Sequence, residues 1–302
     1  MFFLVILFIL NNCLLNFITD IIKSVEFLMR IFNLNKHTEY ILKCLIRNIT
    51  HYDSQCVNFF SYNNRKPYII GISGSVASGK STMSHWLQIV LKNYFVKKRV
   101  SVVTTDNFLY PNKILHFLGL MQNKGFPKTY DVKSLVNFFL DIKFGISNKI
   151  VIPVYSHLQN DIVFNRSAIV KNSDIFIIEG LHIFNPDFYK QKNVNFFVSN
   201  FFNFSMYIDV DNLLLEDWYL NRFLKLKYIS KFFTNSFFNI YSKISDKTVK
   251  NIAIKIWYDV NFKNLEKNII LSKKYTNFVI KKNFDHSISS VSLRRQDNIK
   301  RY

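Results

Sequence analysis

Cysteine is scarce in this 302-residue chain, with Cys13, Cys44 and Cys56 its only three. An odd number with no CxxC pair excludes a disulfide framework and gives no zinc site. A reducing, cytoplasmic setting fits such usage. Acidic side chains are the second shortage: twenty Asp and Glu stand against forty Lys and Arg, for a net charge of +20. That surplus attracts polyanions at long range. The lysines are scattered singly and in pairs, however, with no basic block and no base-reading motif. With Lys, Asn, Ile, Phe and Tyr all abundant, the charge reads as AT-rich codon drift plus an anionic nucleotide substrate, not as nucleic-acid binding.

Long hydrophobic runs are also few. The N-terminal stretch "MFFLVILFILNNCLLNFI" has no basic residue ahead of it and no small-residue cleavage site after it. Asn11, Asn12 and Asn16 interrupt it. The unbroken part, Phe2 to Leu10, is half of the roughly 20 residues that span a bilayer, so a buried helix or a divergent extension is expected, not an anchor. No internal repeat and no low-complexity linker divides the rest. Hydrophobic residues make up 49% and charged residues 20%, enough apolar surface for a sizeable core.

What is present is an alternation. From Pro67 onward short apolar runs alternate with helical patterns, the signature of a parallel sheet wrapped by helices on both faces. "YIIGI" (Tyr68 to Ile72), "VSVVTT" (Val100 to Thr105), "DIFIIEG" (Asp174 to Gly180) and "FSMYIDV" (Phe204 to Val210) read as buried strands, and "TNFVIKK" (Thr276 to Lys282) as a last one. Helices are expected after Lys80, over Val132 to Lys143, over Asn212 to Tyr228, and unbroken from Asp246 to Asn268.

One segment carries recognisable chemistry. Gly74-Ser75-Val76-Ala77-Ser78-Gly79-Lys80-Ser81, followed by Thr82, matches G-x-x-x-x-G-K-[ST] in full, after a strand and before a helix. Its glycines let backbone N–H groups converge on a phosphate, and the positive end of the helix adds to them. Lys80 is placed to reach the β- and γ-phosphates and Ser81 to hold Mg²⁺. Acids at the ends of neighbouring strands are the candidates for base and metal ligand. Asp106 ends "VVTTD" and Glu179 ends "DIFIIE"; by position alone each is as readily a turn residue. Arg222, in "WYLNRFLK", suits charge neutralisation at a moving phosphoryl group, or else a solvated helix face. His157, in "PVYSHL", is ambiguous in the same way.

Taken together, "PYIIGISGSVASGKST", "VVTTDNFLYPN", "GLMQNKGFPKTYD", "PVYSHL", "DIFIIEGLHIF" and "WYLNRFLK" closely resemble the bacterial type I pantothenate kinases. The resemblance runs in order from about Arg65 to about Arg294. It implies the fold of P-loop kinases, similar to uridine kinases and phosphoribulokinases, with added C-terminal helices. Residues 63–302 then form the kinase domain and residues 1–62 a divergent, apolar, helical segment. It also implies transfer of a phosphoryl group from MgATP to the 4′-hydroxyl of pantothenate, a homodimer, and feedback inhibition by coenzyme A. Lys80 and Ser81 fall on the family's phosphate and metal contacts, Asp106 on the carboxylate facing the acceptor, and Arg222 beside the transferred phosphate. Tyr155, His157, Tyr219 and Asn261 match residues lining the pantothenate pocket, with Phe238 an aromatic wall of it. His286 matches a histidine near the nucleotide base. Three departures stand out. The first 60 residues show no match to a segment that, in the family, helps to form the adenine site. His85 stands where an arginine commonly meets coenzyme A phosphate, and Leu226 where a phenylalanine is usual. An imidazole holds phosphate less firmly than a bidentate guanidinium, so weakened feedback inhibition is expected.

Overall fold

A computed structural model of the chain describes residues 35–59, 66–147, 149–171, 173–190 and 198–294. The apolar N-terminal run, with the expectation attached to it, lies outside the described residues. In chain order come helix α1 (Lys36–Phe59), strand β1 (Tyr68–Gly74), helix α2 (Lys80–Tyr94) and strand β2 (Val100–Thr104). Helices α3 (Asn112–Phe117) and α4 (Val132–Phe144) lead to a hairpin of β3 (Lys149–Ser156) and β4 (Asp161–Lys171). Next come β5 (Ile175–Gly180), α5 (Pro186–Lys190), β6 (Phe204–Asp209), α6 (Asn212–Ser230), α7 (Asp246–Ile256), β7 (Phe278–Lys282) and β8 (Ile288–Leu293).

The main sheet runs β2-β5-β1-β6-β7-β8. It is parallel except at its last pair, where β8 runs antiparallel to β7. Every residue of β1 and of β5 is buried, which is why both read as unbroken apolar runs: each face of a parallel sheet must be covered. Side chains on β1 alternate between two cores. Ile69 joins Val103, Phe139 and Ile178 beneath α4, whereas Ile70 and Ile72 join Leu87, Val90, Met206 and Ile280 on the α2 side. Helices therefore cover both faces, as the alternation of segments implies.

Helix α1 belongs to the second core. Its Ile41, Leu42, Leu45, Ile46 and Ile49 recur at helical spacing and are at most 1% exposed. Asn35 fixes its start: the side-chain oxygen accepts from the Thr38 N–H at 3.0 Å, and the amide donates to the Ile288 carbonyl of β8 at 2.9 Å. Among the described residues no helix is long and apolar enough to cross a membrane.

Three features depart from the sequence reading. The helix expected from Asp246 to Asn268 keeps α-geometry only to Ile256 and continues as π-type turns over Trp257–Phe262 and Leu265–Ile269. Such wider turns insert a residue and rotate the remainder of the helix, which alternating apolar residues do not reveal. The β3–β4 hairpin has no counterpart among the expected strands, because Pro153 sits beside a register shift and one face is open to solvent. The antiparallel edge strand β8 is the third.

Candidate active site

Strand register brings the chemistry to one edge. Glu179 of β5 lies level with Ile72 of β1 on one side and Thr104 of β2 on the other. The phosphate loop leaves β1 two residues later, and Asp106 lies two residues beyond Thr104. All three therefore meet at the carboxyl ends of the strands, where open α/β sheets bind ligands.

The loop has the backbone that its glycines predict. Gly79 has φ of 88° and Gly74 φ of 152°, and a Cβ on Gly74 would lie 2.8 Å from the Ile208 carbonyl oxygen. Lys80 is 9% exposed, and its Nζ donates to the Ser75 carbonyl at 2.7 Å, closing the loop on itself. The side-chain oxygens of Ser75 and Ser78 are buried without protein partners, as in a cradle shaped for an anion's oxygens. Ser81 Oγ donates to Glu179 Oε1 at 2.9 Å, and Glu179 is 6% exposed.

Asp106 is partly buried at the start of a 3₁₀ turn, Thr105–Phe108. The turn is capped by Thr104, whose side-chain oxygen accepts from the Asp106 N–H at 3.3 Å, so the Asp106 carboxylate is not spent as a cap. It accepts instead from the Tyr130 hydroxyl at 3.4 Å. Removal from water raises its pKa, against the pull of Lys80, Arg222, that hydroxyl and Lys124. Lys80 is lowered by the same loss of water and supported by Glu179 and Asp106. Two acids and three cations thus lie near enough to feel one another.

A second polar cluster is assembled from distant segments. Lys124 Nζ donates to Asn112 Oδ1 at 2.6 Å and to the Asn160 carbonyl, and lies 5.2 Å from the centre of the Tyr155 ring. Burial lowers it to about 8. The Tyr155 hydroxyl donates to Asn160 Oδ1 at 2.8 Å, and the Tyr155 ring meets that of His157 edge-on at 5.3 Å. Protein packed around His157, then the Arg222 guanidinium, hold its imidazole down to about 4, so it is neutral at pH 7. Asn261, in the first π-type turn, lies near enough to the Tyr219 hydroxyl of α6 to oppose the rise that burial gives its pKa. Phe238 is buried edge-on against Phe223 at 5.1 Å, and its turn is held to the His157 segment by Phe237 N–H and Ser236 Oγ, which both donate to the Leu158 carbonyl.

The structure thus gathers Lys80, Ser81, Asp106 and Glu179 with Arg222, Tyr155 and His157, and seats Tyr219, Asn261 and Phe238 along α6. His286 is not in the cradle. It lies in the exposed β7–β8 turn with φ of 66°, its ring centroid 3.8 Å from that of Trp218. Four residues absent from the sequence expectations join the site. Tyr130 and Lys124 flank "GFPKT". His182 donates from Nε2 to the Gly125 carbonyl at 2.8 Å. Lys282, at the end of β7, donates to the Ser78 carbonyl at 3.2 Å, with its Nζ 2.6 Å from where a Gly79 Cβ would be.

The model of the Phosphoribulokinase / Uridine kinase family matches residues 69–225. A pantothenate kinase of Rhodopseudomonas palustris (strain HaA2) is 44% identical over 235 residues, spanning 76% of this chain and 73% of its own. The chain belongs to the pantothenate kinase family. Another relative, the pantothenate kinase of Yersinia enterocolitica serotype O:8, is 41% identical over 232 residues, with 76% and 73% covered. The fold is shared more widely: D-glycerate 3-kinase from Cryptococcus neoformans var. grubii superposes with a TM-score of 0.55 at 14% identity, over 82% of this chain and 97% of that one. Membership in the pantothenate kinases makes the chain an ATP-dependent kinase acting on an alcohol group.

Proposed function

We propose that the chain transfers the γ-phosphoryl group of ATP to the 4′-hydroxyl of pantothenate, the first step toward coenzyme A. The observation that carries this reading is the place of Asp106: its carboxylate shares a field with Lys80 and Arg222 while facing the Tyr130, Tyr155 and Lys124 side of the pocket. A hydroxyl bound there has a base on one side and the phosphate cradle on the other.

The side chains divide the work between them. Asp106, in its ionised form, orients the hydroxyl and accepts its proton as the oxygen–phosphorus bond forms. Lys80 and Arg222 offset charge on the phosphoryl group as its bond to the leaving diphosphate breaks. Ser81 and Glu179 together present oxygen donors 2.9 Å apart, which suits Mg²⁺, an ion that takes few protein oxygens and completes its shell with water and phosphate. Bound Mg²⁺ would supply further charge neutralisation of the phosphates. Among the described residues no three His, Cys, Asp or Glu cluster as a metal cage, and such a metal needs none. Tyr155, neutral His157, Tyr219 and Asn261 give hydrogen bonds to a substrate that carries an amide, hydroxyls and a carboxylate, against the apolar wall that Phe238 supports. His286 on its exposed turn is the contact proposed for the nucleotide base.

Coenzyme A inhibition, a homodimer and a cytoplasmic location complete the reading. His85 Nδ1 lies 2.9 Å from the Ser81 carbonyl, so the imidazole folds back onto its own helix. His85→Arg is therefore expected to lower several-fold the coenzyme A concentration that halves activity, in a titration at fixed ATP. The test of the function itself is direct. Purified protein incubated with MgATP and pantothenate forms phosphopantothenate by mass, and uridine in its place is left unchanged. Phosphorylation of uridine and not of pantothenate would transfer the reading to the uridine kinase branch of the fold.

A further inference from the structure

His182, three residues past Glu179, is 1% exposed, and no step of the transfer uses it. Burial, with a lesser push from the Lys80 charge, holds its imidazole to about 4. It is therefore neutral, and the Nε2 proton is the one given to the Gly125 carbonyl at 2.8 Å. Nδ1 is buried with no partner. That same carbonyl accepts a second hydrogen bond, from Asn264 Nδ2, also at 2.8 Å. The chain of contacts continues. Asn264 Oδ1 accepts from Asn268 Nδ2 at 2.9 Å, the Asn268 carbonyl accepts from Asn185 Nδ2 at 3.0 Å, and the Asn185 N–H donates to the His182 carbonyl at 2.9 Å. The hydrogen bonds form a closed ring.

Three segments meet in it, and each carries part of the site. His182 and Asn185 lie just beyond the strand that presents Glu179. Gly125 lies between Lys124 and Tyr130, with φ of 92°, a conformation that binds the loop's shape to this residue. Asn264 and Asn268 lie in the turns that come after Asn261. The His182 ring also meets that of Tyr130 edge-on at 5.7 Å, and Tyr130 is the residue that donates to Asp106.

We infer that the His182–Gly125–Asn264 clasp sets the distance between the phosphate side and the acceptor side, with His182 as a positioning residue for the acceptor loop. This rests on the kinase reading, because what it positions is Lys124, Tyr130 and, through Tyr130, Asp106. The reach of a glutamine amide resembles that of a histidine Nε2, so His182→Gln keeps the donor and His182→Leu removes it.

In steady-state kinetics with ATP and pantothenate, His182→Leu is expected to lower kcat/KM for pantothenate by about 10-fold or more, with the dissociation constant of ATP within about two-fold of wild type. His182→Gln restores most of the loss, and Asn264→Ala repeats part of it. Equal losses toward both substrates, or a glutamine variant as impaired as the leucine one, would overturn the inference by assigning His182 to general stability. A second readout needs no substrate. Amide hydrogen exchange over residues 121–131 should quicken about 10-fold in His182→Leu while β1 stays protected; unchanged exchange there would also overturn it. Failure of the wild type to phosphorylate pantothenate, with quickened exchange in the variant, would refute the substrate and leave the clasp standing.

Discussion

Eight consecutive residues build the phosphate cradle, whereas the acceptor side draws on the turn after β2, the 124–130 loop, the end of β3, α6, the turn around Phe238 and the turns after α7. The cradle's geometry is local. Its conformation is set by glycines and by the start of α2, and its lysine is held by a carbonyl five residues away. The acceptor side is held by long-range bonds, such as Tyr130 to Asp106 and Asn264 to Gly125, each closing a loop of chain at an entropic cost. A local device can serve many kinases of this fold, because it specifies only phosphate. A long-range device specifies the acceptor, and it can be detuned from many places without touching the nucleotide.

The sharpest way to break that comparison is at the cradle. Lys80→Ala is expected to lower turnover by roughly 10³-fold for any acceptor, because it removes charge neutralisation that every phosphoryl transfer needs; quench-flow or coupled-assay kinetics measure it. The pH profile separates the two sides. As the proposed base Asp106 acts ionised, and its pKa is raised, so activity is expected to be gained with rising pH across a range above the ordinary carboxylate value. Lys124 is lowered to about 8, and loss of its proton would loosen its hold on Asn112 and Asn160, so kcat/KM for pantothenate at saturating ATP is expected to fall above that pH. Lys124→Met removes the alkaline fall along with about 10-fold or more of the activity. A smaller effect is expected at the seam. Lys282, also lowered to about 8, donates to the Ser78 carbonyl of the cradle. Lys282→Met therefore raises KM for ATP by about 5-fold and leaves that for pantothenate unchanged.

Much of this was legible in the sequence, for reasons that differ by region. The buried strands announce themselves because both faces are covered, and the cradle because its residues are contiguous. Asp106 and Glu179 are found by ending strands, and register alone turns that into proximity. Tyr219, Asn261 and Phe238 enter by resemblance, since neither spacing nor composition reveals that a π-type turn swings Asn261 toward α6. Lys282 gives no signal, because a lysine closing what reads as the last strand resembles any solvated one until β7 is placed beside the cradle. His182 is likewise silent. Its role exists only once His182 and Asn264, far apart in the chain, donate to the same Gly125 carbonyl.

The central claim is that Asp106 and the cradle act on the same transfer from opposite ends. Asp106→Asn keeps the shape of the pocket and removes the base, so its turnover of pantothenate, measured alongside its affinity for ATP, tests the claim most directly. The account predicts a fall in kcat of about 10²-fold or more with the dissociation constant for ATP within about two-fold of wild type. A variant that turns over at the wild-type rate would contradict it.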